Sequence, residues 1–355
     1  MSRVRRRRVQ WSVQALPGGL TPDRATDGRT VSLEPREIAA RRLIAQLLAP
    51  SDAHPLAGRV LAPVDVCRWM LAIQGQNYDG GLEAIAIRQG RRRSRFRTAP
   101  AEAELDAGLL VRCWPQRGTL HYLAAEDAAW LSALGMGPVE RAARRRRARL
   151  GLEPGLDVPR EALHEALAAG ELTRRQCYEV FARVGIDPGG NRGPHLLRAL
   201  GGEGLVVQGA RRGGEEVFRL VGQLPVPQRE LDGDEALAEL ATRYVGSHGP
   251  ATLDDLAWWT HLGRVRARRA LALGTGYHRD GDHYVPDWQS GITSAEMNRA
   301  LARTVTLPPF DEYLLGYTDR TGILPDELRP QVLTMNGLSW HFVVRRGVVR
   351  GRAER

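Results

Sequence analysis

Apolar residues recur every three to four positions along most of the chain up to Leu273, and the breaks between them mark out short helices rather than long ones. From Ser32, the acidic Glu34 and Glu37 precede a stripe of Ile38, Leu43, Ile44 and Leu47, the pattern of a first helix with its acidic end at the N-terminus. Pro63 to Gln74 predicts a second helix, Gly80-Gly81 interrupts the chain, and Leu82 to Arg88 predicts a third. Three helices in this order open a winged helix-turn-helix. Ala101 to Leu110 again reads as helix, and Gly118 to Leu123 has the β-rich texture of a strand, a candidate wing. Glu126 to Leu134 and Pro138 to Leu150 read as two further helices.

The order then repeats. Helices are predicted at Arg160 to Ala168, Thr173 to Val184 and Pro194 to Leu200, followed by Leu205 to Val207, a turn at Arg212-Gly213-Gly214, and Val217 to Leu220. A third helical group covers Asp234 to Tyr244, Leu253 to Thr260 and Arg264 to Leu273. After Tyr277 the pattern shifts to short β-like runs at Tyr284-Val285, Gln331 to Thr334, Ser339 to Val344 and Val348-Val349. The fold class that follows is α+β, with tandem winged helix-turn-helix units and a C-terminal small β-barrel or sheet. Its expected divisions are a flexible basic arm over 1–31, a first winged-helix unit over 32–150, a second over 151–230, a third helix-turn-helix unit over 231–275, and a β-rich domain over 276–355.

Charge adds a partner to this picture. All 51 basic residues are arginine, set against 41 acidic ones, for a formal charge of +10. A GC-rich coding sequence accounts for most of the missing lysine, but the surplus charge still calls for a polyanion, and arginine's planar fork grips phosphate bidentately and reads guanine edges. Arg211 and Arg212 fall at the predicted wing tip. Arg264, Arg266, Arg268 and Arg269 fall on the last helix of the third group, which reads equally as a recognition helix or as a packing helix with exposed arginines. The dense block Arg141 to Arg149 reads first as a solvated face.

Other classes drop away. Cys67, Cys113 and Cys177 are far apart and lack neighbouring histidines at ligand spacing, so neither a zinc site nor a disulfide framework is indicated and no metal or cofactor is expected. No signal-peptide h-region and no apolar run of membrane-spanning length occurs, which points to a cytoplasmic protein with no membrane partner; nothing reads as a dimerisation helix, which points to a monomer. There is no P-loop, no G-x-S-x-G and no H-E-x-x-H.

What remains is Gln74-Gly75-Gln76, ahead of the loop formers Asn77 to Gly81. Two residues apart on a helix point about 200° away from each other, so the two amides share a cavity only where the helix ends. Glutamines at a helix terminus are more often caps or surface, and on its own this pair carries little.

Four ordered segments change its weight. Ala72 to Gln76, Arg117-Gly118-Thr119-Leu120-His121, Gly249-Pro250-Ala251-Thr252-Leu253-Asp254-Asp255-Leu256-Ala257-Trp258-Trp259, and Leu307-Pro308-Pro309-Phe310-Asp311-Glu312-Tyr313-Leu314-Leu315-Gly316-Tyr317 together resemble the AlkZ/YcaQ-type winged-helix DNA glycosylases, over roughly residues 33 to 350. The resemblance implies tandem winged helices around a C-terminal β-barrel with a concave DNA-binding surface, release of N7-alkylguanines, and in some members the opening of interstrand crosslinks. The catalytic motif it implies, glutamine, any residue, then glutamine or aspartate, falls on Gln74 and Gln76. Glutamine in the second place resembles the AlkZ branch, whose members protect antibiotic producers. Gly75 departs from the larger apolar residue usual between the two.

Amides suit that chemistry. A glutamine is no general base at neutral pH, but two of them can fix a water at the sugar C1′, and an N7-alkylguanine is already cationic, so its departure needs no acid. His121 and Arg117 fall in the matching segment as DNA contacts or accessories, although a lone strand histidine is more often structural. Asp311, in a proline-rich turn with Glu312 and Tyr313, reads as a hydrogen-bonding residue of the junction or as a second group that orients water. Without lysine the Schiff-base route of a glycosylase/lyase is closed, so hydrolysis without strand cleavage is expected. The expected partner is double-stranded DNA carrying alkylated purines. The competing account is a non-catalytic winged-helix DNA-binding protein or transcriptional regulator, which would be expected to dimerise and prefer a sequence.

Overall fold

In the computed structural model, which describes residues 33–90, 97–152, 155–334 and 337–353, the first helix, α1 (Pro35–Ala45), starts on a proline whose missing N–H would have had no helical partner. The basic arm expected over 1–31 lies outside the described residues. Helix α2 (Pro63–Met70) also starts on proline, and it is shorter than the 63–74 predicted. Leu71 takes a φ of 65° and a ψ of −54°, a strained γ-turn closed by the Ala72 N–H donating to the Met70 carbonyl at 2.8 Å. The chain turns there, and Ile73–Gln74 form strand β1 instead of helix.

Asn77 caps α3 (Tyr78–Arg88), its side-chain oxygen accepting the Gly80 N–H at 2.8 Å. The two glycines read from the sequence as a break are thus inside the helix. A Cβ on Gly81 would stand 2.4 Å from Tyr122 Cε2 and 2.8 Å from the Gln74 carbonyl oxygen, so its bare backbone is what lets α3 lie against the strands. After α4 (Ala99–Asp106) come the hairpin strands β2 (Leu110–Gln116), buried at every position, and β3 (Thr119–Ala124). The expected helix over 101–110 therefore ends early and gives way to a strand. Two helices expected over 126–150 are one, α5 (Ala128–Arg149), running through Pro138. Gly135 lies so close to the Pro115 carbonyl that a Cβ would be 1.8 Å from it, and this packing on β2 holds the two halves in line.

Next follow α6 (Asp157–Ala168), β4 (Leu172–Thr173), α7 (Arg174–Arg183), α8 (Arg192–Gly202), β5 (Val206–Gln208) and β6 (Val217–Leu220). All six strands named so far make one sheet, in the order β1-β3-β2-β5-β6-β4. Pairing of Arg112 with Gln208 carries this sheet across the division expected at 150. The strand read as a candidate wing, β3, has β1 on one side and β2 on the other.

Helices α9 (Gly233–His248), α10 (Leu253–Thr260) and α11 (Gly263–Leu273), with the short strand β7 (Ala251–Thr252) between the first two, pack around Leu240, Tyr244, Trp259 and Ala267. Strands β8 (Tyr277–Asp280) and β9 (His283–Pro286) join β7 in a small sheet. Then come α12 (Ser294–Ala302), β10 (Thr304–Leu307), α13 (Glu312–Leu315), α14 (Arg329–Val332), β11 (Phe342–Arg345) and β12 (Val348–Arg352). The β-like run Gln331 to Thr334 is not a strand: Pro330 in the first turn of α14 fixes a helical φ, and only Leu333 bridges to Ser339. Strands β10, β11 and β12 form a three-stranded antiparallel sheet, and Leu307, Tyr313, Phe342 and Val344 bury against Leu43 and Ile44 of α1. Among the described residues, no helix is long and apolar enough to cross a membrane.

Candidate active site

The structure presents Gln74-Gly75-Gln76 at the end of a strand, not of a helix, and surrounds its backbone with partners. Gln74 lies directly opposite His121 across the β1–β3 pair, which places both side chains on one face. The Gly75 N–H donates to the Leu120 carbonyl at 2.7 Å, and the Gly75 carbonyl accepts Arg112 Nε at 2.8 Å. Gln76 is exposed, yet its side-chain oxygen is fixed by the Leu120 N–H at 3.1 Å. That bond leaves the Gln76 amide NH₂ as the end free to face a ligand. Gln74 is buried, with its side-chain oxygen 3.2 Å from the Gly75 N–H. A Cβ on Gly75 would meet the His121 Cα and the Leu120 carbonyl at 3.3 Å, so the glycine matches the close approach of β3.

Behind the strand stands a buried carboxylate. Glu312, at the start of α13, takes the Gln74 backbone N–H on Oε1 and the Trp259 indole N–H on Oε2, each at 2.9 Å. Burial opposes its ionisation, but His248, 3.7 Å away, and the charges of His121 and Arg117 outweigh it and hold the carboxyl down at about 2. Opposite it, burial first and the Arg117 charge second bring His121 down to about 4, so the imidazole is neutral at pH 7. Its Nδ1 donates to the Thr119 carbonyl at 2.9 Å, which leaves Nε2 as the acceptor facing Gln116 and Arg117 at 3.3 and 3.4 Å. The site therefore combines two fixed amides, one buried anion and a neutral histidine, with no group in contact that is poised to act as a strong base.

The family described as DNA glycosylase AlkZ-like matches residues 67–355, a span that contains every residue of this site. The chain belongs to the AlkZ-like DNA glycosylase family. It is 26% identical over 360 residues to the interstrand DNA cross-link repair glycosylase of Streptomyces sahachiroi, covering 89% of this chain and 86% of that protein. The solved structure of Streptomyces sahachiroi DNA glycosylase AlkZ superposes with a TM-score of 0.72 at 22% identity, covering 88% of this chain and 86% of that one. The match places the chain among DNA glycosylases, not among transcriptional regulators.

In this AlkZ-like glycosylase the other residues singled out from the sequence lie at varying distances from the glutamines. Arg211 reaches the vicinity: its guanidinium stacks 4.1 Å from the ring centroid of Tyr78, the first residue of α3, and pairs with Glu216 at 3.4 Å. Arg212 turns away to pair with Glu171. Arg264, Arg266 and Arg268 are exposed on α11. Asp311 is buried and bound through both oxygens by Arg88, at 2.8 and 2.9 Å, while Arg88 also binds Gln46, so the pair links α3 and α13 to the end of α1. Sequence reading passed over Arg112 and, within its own segment, favoured Asp311 over Glu312. The signal for Glu312 was its place one residue along in a turn already marked; the signal for Arg112 was a charged residue in an otherwise apolar run from Leu109 to Trp114.

Proposed function

We propose that the chain is a monofunctional hydrolase that cuts the N-glycosidic bond of alkylated purines in double-stranded DNA, N7-alkylguanine first among them, with Gln74 and Gln76 holding the attacking water at the sugar C1′. The observation that carries this reading is the rigidity of the pair: the buried Glu312 and Arg112 hold the Gln74 N–H and the Gly75 carbonyl, the Leu120 carbonyl holds the Gly75 N–H, and the Gln76 amide is pinned by β3. Fixed amides position a water without having to deprotonate it. The base leaves neutral because it started as a cation, and the water's proton passes to solvent. As positive charge grows on the sugar, the ionised Glu312 behind Gln74 lies in a low-dielectric interior where its field is strong.

The remaining architecture fits a DNA reader. Helices α6 to α8 with the β5–β6 hairpin read as one winged-helix unit, α1 to α3 with β2–β3 as another, α9 to α11 as a helix-turn-helix, and the C-terminal strands as a small barrel-like sheet. Bulky adducts and crosslinks fall within this reading, since the Streptomyces sahachiroi relative is named for interstrand cross-link repair. The absence of lysine from the sequence supports hydrolysis without lyase action, by a monomer working in the cytoplasm.

The test is a duplex with one N7-methylguanine, incubated with protein and then heated in alkali. Scission that appears only after alkali, and falls by about 100-fold in Gln74→Ala and in Gln76→Ala, is the expected result. Scission before alkali would show a lyase, and none on this or a bulky N7 adduct would remove the proposal.

A further inference from the structure

Beside the glutamine pair sits a constellation that the hydrolysis does not use. Arg117, in the β2–β3 turn with a φ of 51°, holds its guanidinium carbon 4.7 Å from the ring centroid of Trp258 on α10. Arg320, from the loop after α13, holds its own 4.5 Å from the same centroid. Two like charges thus share one indole, drawn from three separate stretches of chain. A cation over an aromatic face is attracted to it, but nothing in that attraction cancels the repulsion between the two cations.

Neither arginine has a carboxylate within 4 Å among the described residues, in contrast to Arg88 and Arg243, which the fold neutralises. Arg117 gives one N–H to His121 Nε2 at 3.4 Å, and its buried Nη1 has no hydrogen-bond partner. The Nε of Arg320 donates to the Leu314 carbonyl at 2.5 Å, which anchors the side chain without touching its charge. Burial pushes the Arg117 guanidinium below its usual value against the charge of Glu312; burial, then the charges of Arg329 and Arg117, push Arg320 down to about 10 against those of Asp255 and Asp319. Both stay protonated at neutral pH, held at a cost that an anion between them would relieve.

We propose that Arg117 and Arg320, braced on Trp258, seat one backbone phosphate of the duplex next to the target nucleotide. A phosphodiester suits the seat because a guanidinium fork binds its oxygens in pairs, and because the substrate brings one phosphate per nucleotide past this point. Contact between Arg117 and His121, which faces Gln74 across the β1–β3 pair, ties the seat to the catalytic strand. A phosphate fixed there sets the register of the damaged strand, so that C1′ stops in front of the two amides. The inference rests on the glycosylase reading above, and its test is kept separate from turnover.

The probe is a duplex whose N7-methylguanosine carries a 2′-fluorine that resists cleavage, with each phosphate flanking it replaced in turn by a neutral methylphosphonate. At one position the wild type should lose about tenfold in affinity, whereas Arg320→Gln, already about tenfold weaker on the unmodified duplex, should lose nothing more at that position. The salt slope of Arg320→Gln should be shallower by about one. Arg117→Gln is the second variant and should couple to the same phosphate. Equal loss at every position in wild type and variants, or an Arg320→Gln protein with unchanged affinity and slope, overturns the seat. Alkali-dependent scission of ordinary N7-methylguanine duplex by the wild type, read alongside, shows whether the glycosylase reading stands on its own.

Discussion

The strand end at Gln74 and the arginine-rich helix α11 handle charge in opposite ways. Around Gln74 the charges are withdrawn from water: Glu312 is ionised at 0% exposure, and the half-buried Arg117 and Arg320 share an indole with no carboxylate within 4 Å among the described residues. On α11 they are in water, and the fold has already answered two of them, Arg264 with Asp254 and Arg269 with Asp234. By count α11 is the more basic region, yet solvent screens its pairs and they contribute little. A charge in the interior is felt more strongly and has fewer ways to be satisfied, so the region with fewer arginines is the one whose electrostatics can bear on the reaction.

The largest break of this comparison is Glu312→Gln against Asp254→Asn. The first leaves the Gln74 N–H and the Trp259 indole competing for one amide oxygen in a buried site, an expected loss of about 2–3 kcal/mol in urea unfolding and at least tenfold in glycosylase rate. The second removes an exposed carboxylate and should leave both measurements near wild type. Equal effects would mean that burial does not separate the two regions.

Acid sharpens the same contrast. His121 and His54 are both lowered to about 4 by burial, so between pH 4 and about 6.5 the unfolded chain binds more protons than the folded one. Stability is therefore full above about 6.5 and is lost as pH falls toward 4, by about 3 kcal/mol for each of these histidines. Glu312, held at about 2, contributes above about 4.5 and loses its part only below that, so the two effects act in successive windows. Thermal melts of wild type and His121→Gln between pH 7 and 4.5 should run closer together as pH falls. Parallel curves would place the His121 ring in water.

How much of this was legible beforehand follows from which interactions were local. Helix starts at Pro63 and Leu253, the β5–β6 hairpin and the glutamine pair could be read because proline, threonine caps and glycine turns act within a few residues. The end of α2 could not, since Leu71 has no preference for a positive φ and is held there by packing against β-strands far along the chain. For the same reason Glu312 was hidden: its two hydrogen-bond partners lie 238 and 53 residues away. Gly75 was visible as an oddity and became explicable only with β3 beside it. Gly75→Ala should cost activity a few-fold with little change in melting temperature, because the 3.3 Å contacts ask β3 to give by a few tenths of an ångström; an unchanged rate would show that strand spacing does not set the amides.

The smallest expected effects belong to α11, and they decide what that helix is for. Arg266 and Arg268 are exposed and make no ion pair among the described residues, whereas Arg264 and Arg269 are paired within the fold. If the helix lies along DNA, Arg266→Ala and Arg268→Ala should each weaken binding to undamaged duplex a few-fold and reduce the salt slope by about one. Arg264→Ala and Arg269→Ala should do less, because releasing Asp254 or Asp234 returns a negative charge to the same surface. Titrations over a range of salt separate the cases: four equal losses would mean that the intramolecular pairs open on binding, and four null results would make α11 a packing helix whose arginines only face water. In either case the steep, position-specific loss stays with the half-buried arginines at Trp258, since a screened surface charge contributes to the slope of binding but not to its register.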